Sequence, residues 1–172
     1  SVIDASKKYS GVLMVGFNRR FADICRKIKD EFRDLHEPLV MNIRVNAGFI
    51  SKDHWVQQKD IGGGRIVGEI CHFIDLMQFF TDADPVRVFA ESINSDNERH
   101  VNNDNISIII KFNDGSVGNI NYVANGDKSL PKEMIEVFGG GKVGIINDFK
   151  DGSVYRNGRQ VKLKSSGKGH RE

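Results

Sequence analysis

From Val86 to Leu163 the chain repeats one short pattern, an apolar or β-branched run followed by a turn rich in glycine, asparagine or aspartate. Val86-Arg87-Val88-Phe89-Ala90 alternates, as a half-buried strand does. Ile106 to Phe112 is a β-branched run, Asn113-Asp114-Gly115-Ser116 is a turn signal, and Val117 to Val123 returns as its antiparallel partner. Met134 to Phe138, Lys142 to Ile146 and Ser153 to Arg156 add three short strands, and Asn157-Gly158 signals a hairpin into Gln160 to Leu163. A succession of about six antiparallel strands, preceded by helical segments, predicts an α+β fold with helices layered on one large sheet.

The first half has a different rhythm. Ile3 to Tyr9 reads as the end of a helix, with Gly11 as its stop. Val12-Leu13-Met14-Val15 is fully apolar, as in a strand buried on both faces of a parallel sheet. A helix feeding such a strand is half of an α/β unit, so the chain is expected to begin inside a domain, with this strand lacking its own partners. Residues 22–34 carry Ala22, Ile24, Cys25, Ile28 and Phe32 at helical spacing, and Leu39 to Val45 reads as a strand. The long segment Asn46 to Ile61 holds His54, Trp55 and the Lys59-Asp60 pair, and loops of this length are often functional. A glycine-led helix then runs to about Thr81, with Pro85 beyond its end.

Bulk properties exclude several classes. The 172 residues suffice for one sizeable core. The 25 basic and 23 acidic residues give no electrostatic case for nucleic acid or for an anionic membrane. No apolar run approaches the ~20 residues that span a bilayer. Cys25 and Cys71 both sit in helical patterns and read as small buried hydrophobes. With few cysteines and no signal peptide in the sequence, a cytoplasmic protein is expected.

The glycine-led helix carries the chemistry. Projected at ~100° per residue, Arg65, Glu69, His72 and Asp75 fall with Gly68 in a wedge about 120° wide. Ile66, Ile70, Phe73, Ile74 and Met77 lie opposite, and Leu76 and Phe79 continue the wedge as apolar groups. A helix bordering a cleft in its first half and buried in its second fits both observations. His72 can pass a proton near neutral pH, with Glu69 three residues before it and Asp75 three after. From spacing alone, a structural histidine held by local hydrogen bonds fits equally well. No second histidine stands at the spacing zinc needs, and no Cys-x-x-Cys occurs, so no metal site is expected. Gly62-Gly63-Gly64 lacks the Gly-Lys-Ser/Thr of a phosphate loop and reads as close backbone approach at a helix N-terminus. Asn18-Arg19-Arg20 follows the Val12–Val15 run, where open α/β sheets place ligand contacts, although a surface connection with ordinary arginines accounts for it too.

Three segments together resemble one family. Val12-Leu13-Met14-Val15-Gly16-Phe17-Asn18-Arg19-Arg20-Phe21 is similar to the interdomain junction of the Gfo/Idh/MocA (glucose–fructose oxidoreductase and inositol dehydrogenase) oxidoreductases. Gly62 to Asp75 resembles their glycine-led catalytic helix, and Lys168 to Glu172 the start of their last helix. The resemblance implies a glyceraldehyde-3-phosphate dehydrogenase-like C-terminal domain over residues 17–172. Residues 1–16 would be a stub of a Rossmann domain that binds NAD or NADP. It further implies oxidation or reduction of a sugar, cyclitol or sugar-nucleotide carbon, and a homo-oligomer formed through the open sheet face. The family's catalytic histidine falls on His72. Its frequent acid falls on Gly68, leaving Glu69 as the nearest carboxylate. The family's Glu-Lys-Pro lysine has no counterpart in these 172 residues. Arg65, His54, Trp55 and Asp75 become substrate contacts, and Asn18 and Arg19 cofactor contacts. The competing expectation, drawn from Gly68, is a non-catalytic sugar-binding or oligomerisation domain.

Overall fold

The computed structural model describes residues 2–9, 11–97 and 101–170. Eight strands form one sheet: β1 (Val40–Asn46), β2 (Pro85–Ser92), β3 (Ile106–Phe112), β4 (Val117–Val123), β5 (Glu133–Gly139), β6 (Lys142–Asn147), β7 (Asp151–Arg156) and β8 (Arg159–Lys164). Their order is β2-β3-β4-β1-β5-β6-β7-β8. Every neighbouring pair is antiparallel except β1 and β4, which run parallel from Val40↔Val117 to Asn46↔Val123. The α+β reading therefore holds, and β1 is inserted mid-sheet between strands that follow it much later in the chain.

Period-two alternation decides which face is covered. Met41, Ile43 and Val45 of β1 are buried, as are Ile108, Ile110 and Phe112 of β3 and Ile135 and Val137 of β5. Two helices cover that face. Helix α2 (Asp23–Phe32) contributes Ile24, Cys25, Ile28 and Phe32, and helix α3 (Cys71–Thr81) contributes Phe73, Leu76, Met77 and Phe80. Both helices need a flat seat. A Cβ on Gly118 of β4 would collide with Met77 Sδ, and one on Gly144 of β6 would lie 2.7 Å from Ile28 Cγ2. Replacing Gly118 by valine should therefore destabilise the fold by about 1–3 kcal/mol, read from chemical denaturation. An unchanged midpoint would show that α3 does not press on β4 there. The opposite face, including Asn42, Arg44, Asn119, Asn121 and Glu136, is open and borders a shallow depression of about 380 Å³.

Of the N-terminal elements expected, the helix is present and the Val12–Val15 strand is not. Helix α1 (Val2–Ser6) buries no residue. Val12–Val15 forms no strand, and all four side chains are exposed, Val12 by 98 %. A strand exists only by hydrogen-bonding to a neighbour, and no described strand lies beside it. The expected last helix is also absent at Lys168–His170, and Arg171 and Glu172 lie outside the described residues. Cys25 and Cys71 are both free thiols, Cys25 buried and Cys71 half-buried. Among the described residues no helix is long and apolar enough to cross a membrane.

Candidate active site

The helix that carries His72 does not begin as an α-helix. Ile66–Ile70 is a π-helical turn that runs directly into α3. This wider turn breaks the 100° projection, and the wedge divides: Arg65 stays paired with Glu69, while Asp75 pairs with Arg20. Arg65 and Asp75 are buried, and each is held in an ion pair.

Arg65 turns toward the end of β1. Its Nη1 donates to Gly48 O at 2.7 Å, its Nη2 to Ala47 O at 3.3 Å and its Nε to Glu69 Oε1 at 3.2 Å. Asp104 lies 3.7 Å from Nη1, and the guanidinium sits 5.2 Å above the Tyr122 ring. Lys132 Nζ bonds the other oxygen of Glu69 at 3.2 Å. Burial pushes the Glu69 carboxyl upward, but the charges of Lys132 and Arg65 outweigh it and hold the group below its ordinary value. Glu69 is therefore an ionised bridge between Arg65 and Lys132 rather than a hydrogen-bond partner of His72. Burial raises Asp104, which Gln57 Nε2 anchors at 2.5 Å. Burial and the nearby Glu69 charge raise the phenol of Tyr122.

The glycines serve a local purpose. Gly62 lies against the 3₁₀ turn Trp55–Gln57, where a Cβ would stand 2.5 Å from Val56 Cα. Gly64 N donates to Val56 O at 2.9 Å. The close approach that the sequence suggested is thus made to the chain's own loop. On that loop His54 Nδ1 accepts from Val56 N at 3.3 Å and caps the turn, while Trp55 is 58 % exposed. A cleft of about 670 Å³ opens at Gly63 and Gly64, bounded by Lys52, Lys59, Arg65 and Asp104. Arg65 lines it, whereas His54, Trp55, Glu69, His72 and Asp75 do not.

His72 is framed from another direction. Residues Asn18–Phe21 form a 3₁₀ turn packed on α3. Arg19 makes a bidentate pair with Glu133, Nε at 3.1 Å and Nη2 at 3.0 Å, and its guanidinium lies 4.5 Å from the Phe73 ring centre. Lys168 Nζ bonds the same carboxylate at 2.7 Å. Arg20 grips Asp75 through both oxygens, with Nε at 2.9 Å from Oδ2. These contacts bring Phe17 edge-on to the His72 ring at 5.5 Å and 87°. His72 is half-buried, and its Nδ1 is buried with no hydrogen-bond partner. Burial first, then the Arg19 charge, lower its pKa below the ordinary value, against the opposing pull of Asp75, Glu133 and Glu69. The imidazole is therefore neutral at pH 7.

The expected cofactor residues have other partners. Asn18 Nδ2 donates to Lys168 O at 2.6 Å and stands 3.3 Å from His170 Nε2. Arg19 is paired with Glu133 through Nε and Nη2. Both side chains anchor the turn that positions Phe17 and His72. Among the described residues no group of three or more His, Cys, Asp or Glu is arranged to hold a metal. Sequence reasoning missed Glu133, Lys168 and Lys132, and did not foresee that Arg20 pairs with Asp75. One signal was available, because alternation puts Glu133 on the core face with Ile135 and Val137, where a carboxylate requires a cation.

A family model described as the GFO/IDH/MocA C-terminal domain matches residues 34–141. The chain belongs to the GFO/IDH/MocA C-terminal domain family. Solved structures agree in fold. An aldose-aldose oxidoreductase from Caulobacter crescentus superposes with a TM-score of 0.78 at 18 % identity, over 95 % of this chain and 51 % of that one. A UDP-N-acetylglucosamine 3-dehydrogenase from Acidithiobacillus ferrooxidans gives 0.68 at 18 % identity, over 96 % and 50 %. A protein from Listeria innocua named NAD-binding gives 0.70 at 23 % identity, over 95 % and 50 %. The chain thus spans about half the length of these GFO/IDH/MocA-like structures. No curated protein sequence matches it.

Proposed function

We propose that this GFO/IDH/MocA domain is the substrate half of a nicotinamide-dependent oxidoreductase acting on a hydroxyl or ketone of a sugar, cyclitol or sugar nucleotide. The observation that carries the reading is His72, a half-buried, neutral imidazole with an unpartnered Nδ1, on the helix that the family resemblance marks as catalytic. In this reading Nε2 faces the substrate. It takes the hydroxyl proton as the carbinol becomes a carbonyl, and returns it in the reverse direction. A neutral histidine is the state needed to accept that proton. Burial and the Arg19 charge hold His72 in that state, while Glu69 keeps Arg65 and Lys132 in place. Arg65, His54, Trp55 and Asp75 remain substrate-side residues in this proposal, with Arg65 shaping the cleft wall, Asp75 acting from behind through Arg20 and exposed Trp55 available to pack on a sugar ring. Residues 1–16 belong with a dinucleotide-binding domain, NAD or NADP is held chiefly outside these 172 residues, and the domain alone is inactive. The open sheet face serves a homo-oligomer, and the compartment is cytoplasmic. The names of the aldose and UDP-sugar neighbours support the substrate class.

The test uses the full-length protein with NAD or NADP and a panel of aldoses, inositols and UDP-sugars. Substrate-dependent change in nicotinamide absorbance is expected for one class. Saturable sugar binding without turnover would support the non-catalytic domain instead, a reading motivated by Glu69 being bound to Arg65 and Lys132 rather than to His72.

A further inference from the structure

The sheet has two free edges of opposite character. Edge β8 carries Arg159, Lys162 and Lys164, and like charges of this kind keep a second strand away. Edge β2 is different. All eight of its residues are exposed, and Val86, Val88 and Phe89 retain 61 %, 67 % and 61 % of their surface. Apolar side chains thus project from both faces of a long, unpaired edge, which is the arrangement that recruits another strand.

The charges on β2 say which strand. Arg87, Phe89 and Glu91 alternate on the open face, as their registers opposite Lys111, Ile109 and Ser107 show. Arg87 therefore stands across from another cation, and Lys111 Nζ is itself taken by Gly115 O. Among the described residues neither the Arg87 nor the Glu91 side chain has a hydrogen-bond or ion-pair partner. If a second β2 pairs antiparallel with the first and the two-fold axis passes through Phe89, Arg87 falls opposite Glu91 of the second copy. By symmetry Glu91 falls opposite the second copy's Arg87. The same register stacks Phe89 on Phe89 between the two Ile109 side chains and sets Val88 beside Ala90. Moving the axis to Val88 would instead place Arg87 opposite Phe89. Only the Phe89-centred register neutralises both charges.

We propose that β2 is a self-complementary docking edge, and that two copies of this chain join through it in the Phe89-centred antiparallel register to form one continuous sheet. Such an isologous contact extends the sheet sideways and leaves its open face free. It is therefore an interface separate from the open-face contact proposed above.

Light scattering coupled to size exclusion on the 172-residue chain should show a concentration-dependent dimer. Arg87→Glu should weaken it about tenfold or more, because it converts two cross-strand attractions into repulsions. Glu91→Arg should do the same, and the double variant Arg87→Glu, Glu91→Arg should restore the dimer. Under mild oxidation Phe89→Cys should give a disulfide-linked dimer, since directly opposed residues have Cβ atoms about 5 Å apart. A monomer at all concentrations overturns the proposal. So does a dimer indifferent to Arg87→Glu, or one that the double variant fails to restore.

Discussion

Replacing His72 with alanine should lower kcat of the full-length protein by about 10²- to 10⁴-fold while leaving its thermal transition nearly unchanged. The loss is large because a positioned acid–base group acts only in the transition state, so KM should move far less than kcat. The pH profile separates this role from a structural one. Burial and the Arg19 charge depress the pKa of His72, so the neutral, proton-accepting form persists below pH 6.5. Oxidation should therefore stay on its plateau as pH falls through 6.5, and decline only as pH passes the lower folded pKa. That acidic limb should vanish in His72→Ala. A variant that keeps wild-type kcat, or keeps the limb, would remove His72 from the chemistry. In that case the half-buried ring is only packing against Phe17.

Glu133→Ala should cost about 3–5 kcal/mol of stability, because it leaves the buried Arg19 guanidinium without its bidentate partner. The same change releases Lys168, so the 165–170 segment should exchange its amides faster. Replacing both partners of the buried pair with apolar residues, Arg19→Met with Glu133→Leu, should cost less than Glu133→Ala alone, since no orphaned charge remains. Equal losses would show that the carboxylate matters through packing. Acid should act in the same direction. Burial raises the Glu133 carboxyl, but hydrogen bonds and charge from Arg19 and Lys168 outweigh it and leave the folded pKa below the ordinary value. Its contribution is complete above the unfolded carboxylate pKa of about 4.3 and fades as pH falls through the folded one. The wild type should therefore lose stability below about pH 4 by a component that Glu133→Ala lacks. An identical acid limb in both proteins would refute that linkage.

Local pattern located the elements well where periodicity and turn chemistry agree. Ile106–Phe112 and Val117–Val123 are strands with those bounds, because a β-branched run ends at an Asn-Asp-Gly turn and resumes after it. Helix α3 ends at Thr81 as Pro85 implied. Failure came where a local signal lacked a tertiary partner. Val12–Val15 is as apolar as any strand, yet nothing described stands beside it to accept its hydrogen bonds. The site shows the same limit. A regular 100° wheel puts Arg65, Glu69, His72 and Asp75 together. The π turn at Ile66–Ile70 and the acids and bases arriving from β5, the 3₁₀ turn and the C-terminal segment redistribute them.

The sequence by itself determined the α+β class, the run of antiparallel strands and the glycine-led helix, and it singled out His72 as the candidate proton-transfer group. These follow from side-chain period, turn residues and intrinsic pKa, all local properties. The tertiary structure alone decided that β1 inserts parallel to β4, that Glu69 serves Arg65 and Lys132, and that Arg19 and Arg20 clamp Glu133 and Asp75 around the histidine. It also set the state of His72. Burial and charge depend on residues up to 114 positions apart in the chain, as Arg19 and Glu133 are, and such distances leave no trace in a local pattern.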